Sequence, residues 1–292
     1  MTLNFEPIRL QQQADYLARL AKCGQIASDY SFINLLGWGE QYGLQWAWSE
    51  NLVWIRQSEP FAALWAPVGD WSAENWPSTL AGLKPVAERM IRVPERLLHR
   101  WSELGIDLPA EELRGHWDYL YKVQDLIDLK GNRYHKKKNL LNQFINKYQF
   151  TYLPFGPSMV EQALMMQEDW CVWRDCENND TLAAENKAIA RVLYDWRSLQ
   201  GITGGAILVE DVLVAYTVAE TMPDHTLVIH FEKACPDHKG GYQAINQLFL
   251  SHAPQGYEVV NREQDLDDEG LRKAKLSYHP VDFVRKFQVN LS

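Results

Sequence analysis

Glu232 lies inside the apolar run TLVIHFEKA, and Asp265 inside the polar run NREQDLDDEG. A carboxylate at either place could take a proton from an amine or hydroxyl, the step that opens an acyl or aminoacyl transfer. Such a transfer also needs donors that stabilise the tetrahedral oxyanion and cations that clamp a phosphate-bearing donor. Cations are plentiful in two places. KGNRYHKKK puts five of them and a histidine into the nine residues Lys130 to Lys138, and no acid occurs from Leu129 to Val160. Lys130 to Lys147 thus carries +6 in a chain of −9, which leaves −15 on everything else. The second set is Arg262, Arg272, Lys273 and Lys275. Arginine suits bidentate phosphate contacts, and helical spacing sets Arg272 and Lys275 on neighbouring faces with Lys273 turned away. Plainer readings stand beside these. Glu232 pairs with Lys233 or another cation, Asp265 caps a helix, and the cations pair with Glu263, Asp267, Asp268 and Glu269.

The turn CPDHKGGY, between TLVIHFEKA and a helix GYQAINQLFLSHA, offers backbone N–H groups and a positive dipole end to a phosphate. Gly240 and Gly241 permit close approach, Lys239 adds charge, and Tyr242 follows them. An ordinary strand-to-helix turn would look the same. Asn246, on a helix whose other face is Ile245, Leu248 and Phe249, either lines a cleft or is exposed. In the first cluster Asn132 is the expected N-cap of a helix with Leu141, Ile145 and Tyr148 as its buried stripe. Its cations then crowd the first turns, where a helix prefers acids, and a bound anion would relieve that.

These groups must be positioned by a sizeable fold. A chain of 292 residues, 46% hydrophobic, with 12 Trp and 13 Tyr, holds enough apolar surface for two cores. The alternation in LQWAW makes the first-half tryptophans core residues rather than a base-stacking platform. Ser49-Glu50-Asn51 and Glu210-Asp211 read as hairpin turns. Helices are expected at about Pro77 to Arg89, Pro94 to Leu104, Ser158 to Arg174 and Leu182 to Ser198, with a strand opening WDYLYKVQDLIDL. Meander, helix, strand, helix occurs twice, and Gln-Asp-Leu recurs at Gln124 and Gln264 just before a cationic helix, so an internal duplication is expected.

Composition excludes several classes. An acidic chain of pI about 5.4 has no general attraction to nucleic acid or anionic lipid, which disfavours a membrane-docking role for the basic segment. No cationic leader and no apolar run long enough for a membrane span is seen, so a cytoplasmic location is expected. Cys23, Cys171, Cys176 and Cys235 form no CxxC pair and read as free thiols; the histidines show no zinc-type spacing, so no metal is expected.

The element order resembles the Gcn5-related N-acetyltransferase superfamily. More closely, HKGGYQAINQLF with YEVVNREQDLDDEGLRKAKLSYHP, and DYSFINLLGW with GNRYHKKKNLLNQF, resemble the C-terminal domain of bacterial phosphatidylglycerol lysyltransferases and their soluble relatives. The resemblance spans nearly the whole chain. It implies an α+β fold of two tandem acetyltransferase-like subdomains, residues 1–150 and 151–292, each a mixed, mostly antiparallel sheet flanked by helices. It also implies a transferase with acyl-CoA or aminoacyl-tRNA as donor substrate, no further cofactor, and a small-molecule, peptide or lipid-headgroup acceptor. The alternative is a degenerate, non-catalytic module binding tRNA or another phosphorylated ligand. Site positions carried over are Asp29, Tyr30, Asn34, His135, Lys136, Lys137, Asn246, Asn261, Arg262, Asp265, Arg272, Lys273 and Lys275, and Arg133 stands as a binding candidate from the cationic cluster. Tyr242 stands where the acetyltransferase turn has a second small residue.

Overall fold

The computed structural model describes residues 3–84, 86–253 and 256–291. The chain forms two compact units, one of Met1–Tyr119, Gln264–Arg272 and Phe283–Ser292, the other of Leu120–Glu263 and Lys273–Asp282. The boundary expected at residue 150 lies inside the second unit. The reason is local: the strand that starts at Phe150 and the basic helix before it both belong to the second unit's sheet and core.

In the first unit, β1 (Glu6–Pro7), α1 (Gln13–Leu20) and α2 (Phe32–Gly37) precede the expected meander of β2 (Gln45–Trp48), β3 (Leu52–Gln57) and β4 (Ala63–Trp65). Then come β5 (Val68–Gly69), α3 (Trp76–Leu83), β6 (Arg89–Pro94), α4 (Glu95–Glu103) and β7 (Ala110–Glu112). The helix expected to reach Arg89 therefore stops at Leu83, and RMIRVP is a strand. That strand is almost wholly buried, so its sequence shows no alternation. It runs parallel to β4. Trp46 in β2 is fully buried, as the strand pattern indicated, and so are Trp54 of β3, Trp76 of α3 and Trp101 of α4.

The chain enters the second unit along β8 (Asp118–Lys122) and continues through α5 (Val123–Asp128), α6 (His135–Lys147), β9 (Phe150–Pro154), α7 (Val160–Arg174) and α8 (Asp180–Tyr194). A three-stranded antiparallel run follows, β10 (Ile202–Val209), β11 (Val212–Thr221) and β12 (Leu227–Ala234). Glu210 and Asp211 make the first turn with φ of +51° and +64°, the backbone a tight hairpin demands. Then come α9 (Gly241–His252), β13 (Val259–Asn261), α10 (Glu269–Leu276), β14 (Asp282–Val284) and β15 (Lys286–Asn290). The second unit's sheet has the order β8-β13-β12-β11-β10-β9, with β12 and β13 parallel. β15 returns to the first unit and lies between β6 and β7. Each unit is thus a mixed sheet with helices, the expected α+β architecture. No helix among the described residues is long and apolar enough to cross a membrane.

Four local expectations fail for identifiable reasons. Gln124–Leu126 is helical in α5, whereas Gln264–Leu266 is a loop with Glu263 and Leu266 at positive φ, so the shared tripeptide occupies different structures. Asn132 does not cap α6, which begins at His135 after a single 3-10 turn and has no side-chain cap. The buried stripe of α6 is Leu141 and Phe144 with Tyr148 against them, while Ile145 is 43% exposed one step round the helix. Cys171 and Cys176 form a disulfide across the end of α7, not free thiols, because the helix stops at Arg174 and the chain doubles back; Cys23 and Cys235 stand outside it as thiols.

Candidate functional site

In the second unit the polar residues gather on the sheet face covered by α9. Glu232 points there from β12, opposite Thr217 of β11. Arg262, just beyond β13, gives Glu232 a hydrogen bond of 3.0 Å, and Asn246 from α9 donates to its other oxygen at 2.9 Å. Asn246 is buried, so it faces this site rather than solvent. The Arg262 guanidinium lies 4.9 Å from the Tyr278 ring centre, and Lys137 of α6 lies 4.1 Å from the same ring. Burial and the Arg262 charge push the Lys137 ammonium below its usual range. Lys275 donates to the Arg262 carbonyl, and Tyr121 donates to the Lys275 carbonyl at 2.9 Å. Arg262 Nη1 is buried and has no hydrogen-bond partner among the described residues. Arg262 thus holds one carboxylate, shares the Tyr278 ring with Lys137 and has Lys275 on its carbonyl, with one guanidinium nitrogen still to be satisfied, an arrangement that favours an anion or a developing oxyanion.

Other expected residues lie elsewhere. Arg133 pairs with Asp125 at 2.9 Å, His135 bonds Asn139 at 3.0 Å, and Lys136 is exposed. Asn261 is buried and accepts from the Glu263 backbone N–H at 2.8 Å, which shapes the corner after β13. Asp265 and Arg272 form a separate cluster in the first unit: Arg272 grips Asp265 with two bonds of 2.8 and 2.7 Å, and Arg114 and Tyr119 also donate to it. Burial alone would raise the Asp265 pKa, but the Arg272 and Tyr119 hydrogen bonds overcome it and hold it at about 2. A carboxylate that acidic is a weak proton acceptor at neutral pH. Lys273 is exposed. Tyr30, fully buried, donates to the Arg92 carbonyl at 3.1 Å, and Asn34 donates to the Ser28 carbonyl at 2.9 Å. Both side chains have internal work in the first unit.

The glycine turn has a steric explanation. Gly240 has φ +91°, and a Cβ there would stand 2.2 Å from the Leu140 carbonyl oxygen of α6. Its neighbour Gly241 bonds its N–H to the His238 carbonyl at 2.9 Å. Tyr242 accepts from the Trp170 indole at 3.1 Å, and Lys239 is exposed. Gly240→Ala is expected to lower stability by about 1–3 kcal/mol in urea denaturation, through backbone strain and displacement of α6. A loss below about 0.5 kcal/mol would show that α6 gives way freely.

Two clusters escaped the sequence reading. In the second unit His230 is buried between Glu263 at 2.8 Å and Glu220 at 3.3 Å. Burial opposes the charged ring, but the hydrogen bonds and charges of the two carboxylates prevail and push its pKa up to about 9. In the first unit, fully buried Lys286 bonds both Asp29 and Asp118, and Arg92 bonds Asp29. Ser28 donates to Asp118 through N and Oγ, both at 2.8 Å, and Gln264 donates to Asp29 at 3.1 Å. The available signal was charge inside strands: Glu220, His230, Arg92, Asp118 and Lys286 all interrupt otherwise apolar or aromatic runs.

Residues 21–290 match the family model described as phosphatidylglycerol lysyltransferase, C-terminal. A Bacteroides thetaiotaomicron protein of unknown function is 30% identical over 100% of both chains, with a TM-score of 0.90. The structure of L-PGS from Bacillus licheniformis shares the fold, with a TM-score of 0.65 at 12% identity over 99% of this chain and 94% of that one. An uncharacterised protein of Mycoplasmoides gallisepticum is 22% identical over 177 residues, 60% of this chain. The match covers 56% of that curated relative's length.

Proposed function

The chain belongs to the family of phosphatidylglycerol lysyltransferase C-terminal domains, and from that premise we propose that it transfers an aminoacyl or acyl group from a phosphate-bearing donor to an amine or hydroxyl. The donors in view are aminoacyl-tRNA and acyl-CoA; the acceptors are a small molecule, a peptide or a lipid headgroup. What carries the reading is the convergence of Lys137 and Arg262 on Tyr278 beside Glu232, with Arg262 Nη1 unpartnered. In this reading Glu232 takes the proton as the acceptor attacks the acyl carbon. Arg262 Nη1 meets the oxyanion, and Lys137 and Lys275 hold donor phosphate. Collapse breaks the ester or thioester bond, and Glu232 returns the proton to the departing alkoxide or thiolate. Asp265 has the plainer task of anchoring Arg272.

One observation favours the alternative of a non-catalytic tRNA- or phospholigand-binding module: Arg262 and Asn246 already occupy Glu232, and Arg272 occupies Asp265. The experiment measures binding of charged and uncharged tRNA, acetyl-CoA and coenzyme A at low salt, then donor cleavage with hydroxylamine as surrogate acceptor. Arg262→Met is expected to weaken donor binding by about tenfold or more. Glu232→Gln is expected to leave binding within about threefold and cut cleavage by about a hundredfold. Binding without cleavage supports the module; no binding to any donor ends both readings.

A further inference from the structure

Successive strand residues point to opposite faces, so Lys233 projects away from Glu232, to the side covered by α7 and α8. There Lys233 pairs with Glu185 at 2.7 Å and lies 3.7 Å from the Trp170 ring centre. Beside it is a cavity of about 520 Å³ walled by Met165, Met166, Trp170 and Trp173 of α7 and by Val212 and Val214 of β11. The segment Cys235 to His238 closes it at the end of β12. The volume falls in the ordinary range for a small-molecule site.

The charged groups that line the cavity are of one sign. Asp169, Asp211 and Asp237 line it with exposed carboxylates, and no lysine or arginine is among its described lining residues. His238 Nδ1 is buried and has no partner among the described residues. Burial pushes the His238 pKa down, which favours the neutral ring, and with the proton on Nε2 the Nδ1 atom is a hydrogen-bond acceptor. The nearby cations are Lys233, paired with Glu185, and Arg174, which lies 5.5 and 5.7 Å from the Trp170 and Trp173 ring centres. Their positions show indole faces already used by cations. An anionic ligand would meet three carboxylates; a neutral one would leave the carboxylates and His238 Nδ1 unused.

We propose that this cavity binds an organic cation with an apolar body, an amine bearing an alkyl or aryl group. The ammonium sits among Asp169, Asp211, Asp237 and His238 Nδ1, and the body lies on the methionine and tryptophan wall. This goes beyond the transfer reading, since Lys137, Glu232, Asn246, Arg262 and Tyr278 are not part of the cavity's lining.

The test is calorimetric titration of the full chain at low salt with three matched probes: phenylbutylamine, phenylbutanol and phenylbutyrate. The amine is expected to bind about tenfold or more tighter than the alcohol, and the carboxylate weakest of the three. In Asp169→Asn/Asp237→Asn, two exposed positions, the advantage of the amine should fall to about threefold or less while the alcohol binds unchanged. Trp173→Ala, at a residue 58% exposed, should weaken amine and alcohol together. The proposal is overturned if amine and alcohol bind alike, if the amine gives no binding, or if its advantage survives in the double variant. None of these outcomes depends on the donor experiments.

Discussion

Between pH 6.5 and 9 the folded protein is expected to lose about 3 kcal/mol of stability through His230 alone. Its folded pKa of about 9 lies above the usual 6.5 because Glu220 and Glu263 outweigh the burial that would lower it. A raised pKa means the folded state binds the proton more tightly than the unfolded chain. That contribution is complete below about 6.5 and vanishes as the pH rises through about 9. The side chain is fully buried, so solvent screening does not dilute it. Urea denaturation at pH 6, 7.5 and 9.5 should show the decline in the natural protein. His230→Gln should be about 3–5 kcal/mol less stable at pH 6, because the buried Glu220 then loses the imidazolium charge that balanced it. Its decline over the same pH interval should be nearly gone. Parallel pH profiles for the two proteins would refute the assignment.

Lys286→Met is expected to cost a comparable 3–5 kcal/mol at pH 7. The substitution removes the ammonium that bonds both buried carboxylates, Asp29 and Asp118, and leaves the Arg92 charge on Asp29. Burial would raise the Asp29 pKa, but the Arg92 and Lys286 charges hold it well below the usual carboxylate range. The natural protein therefore keeps this stabilisation above about pH 4 and loses it as the pH falls through the depressed folded value. In Lys286→Met protonation relieves a buried charge, so its deficit should shrink between pH 7 and 4. Asp118→Asn/Lys286→Met removes one charge of each sign and should recover about half of the loss. Thermal denaturation at both pH values decides it: a deficit that grows on acidification, or a double variant worse than the single, contradicts the charge-balance account.

The parts of the fold legible in sequence were those with a regular period or a special backbone. The hairpin at Glu210-Asp211, the strand around Phe231 and the helices of Ala163 and Ala188 all carry such signals. β6 was missed because burial on both faces erases alternation, and α5 because its strand-like residues continue from β8 without punctuation. The boundary was invisible for a different reason: the residues of the second unit fall between stretches of the first along the chain, and no composition shift marks the crossings. Of the site, Glu232, Asn246, Arg262, Lys275 and Lys137 were named and come together, while Tyr278 was read only as family wording. Arg272 and Asp265 were named and pair with each other, because a guanidinium seven residues along a loop and helix start reaches a buried carboxylate. The His230 cluster depends on contacts between residues 10 and 33 positions apart, which no local pattern encodes.

The place of β15 has a bearing on how the chain is made. Residues 120–263 leave the ribosome before Lys286 does, so the second unit holds all six of its main strands while the first still lacks the strand between β6 and β7. Until β15 arrives, β6 is an open edge and β7 has no partner. Asp29 and Asp118 likewise wait for their lysine. Vectorial synthesis, which usually lets the earliest-made part fold first, here makes the earliest-made part the last to close.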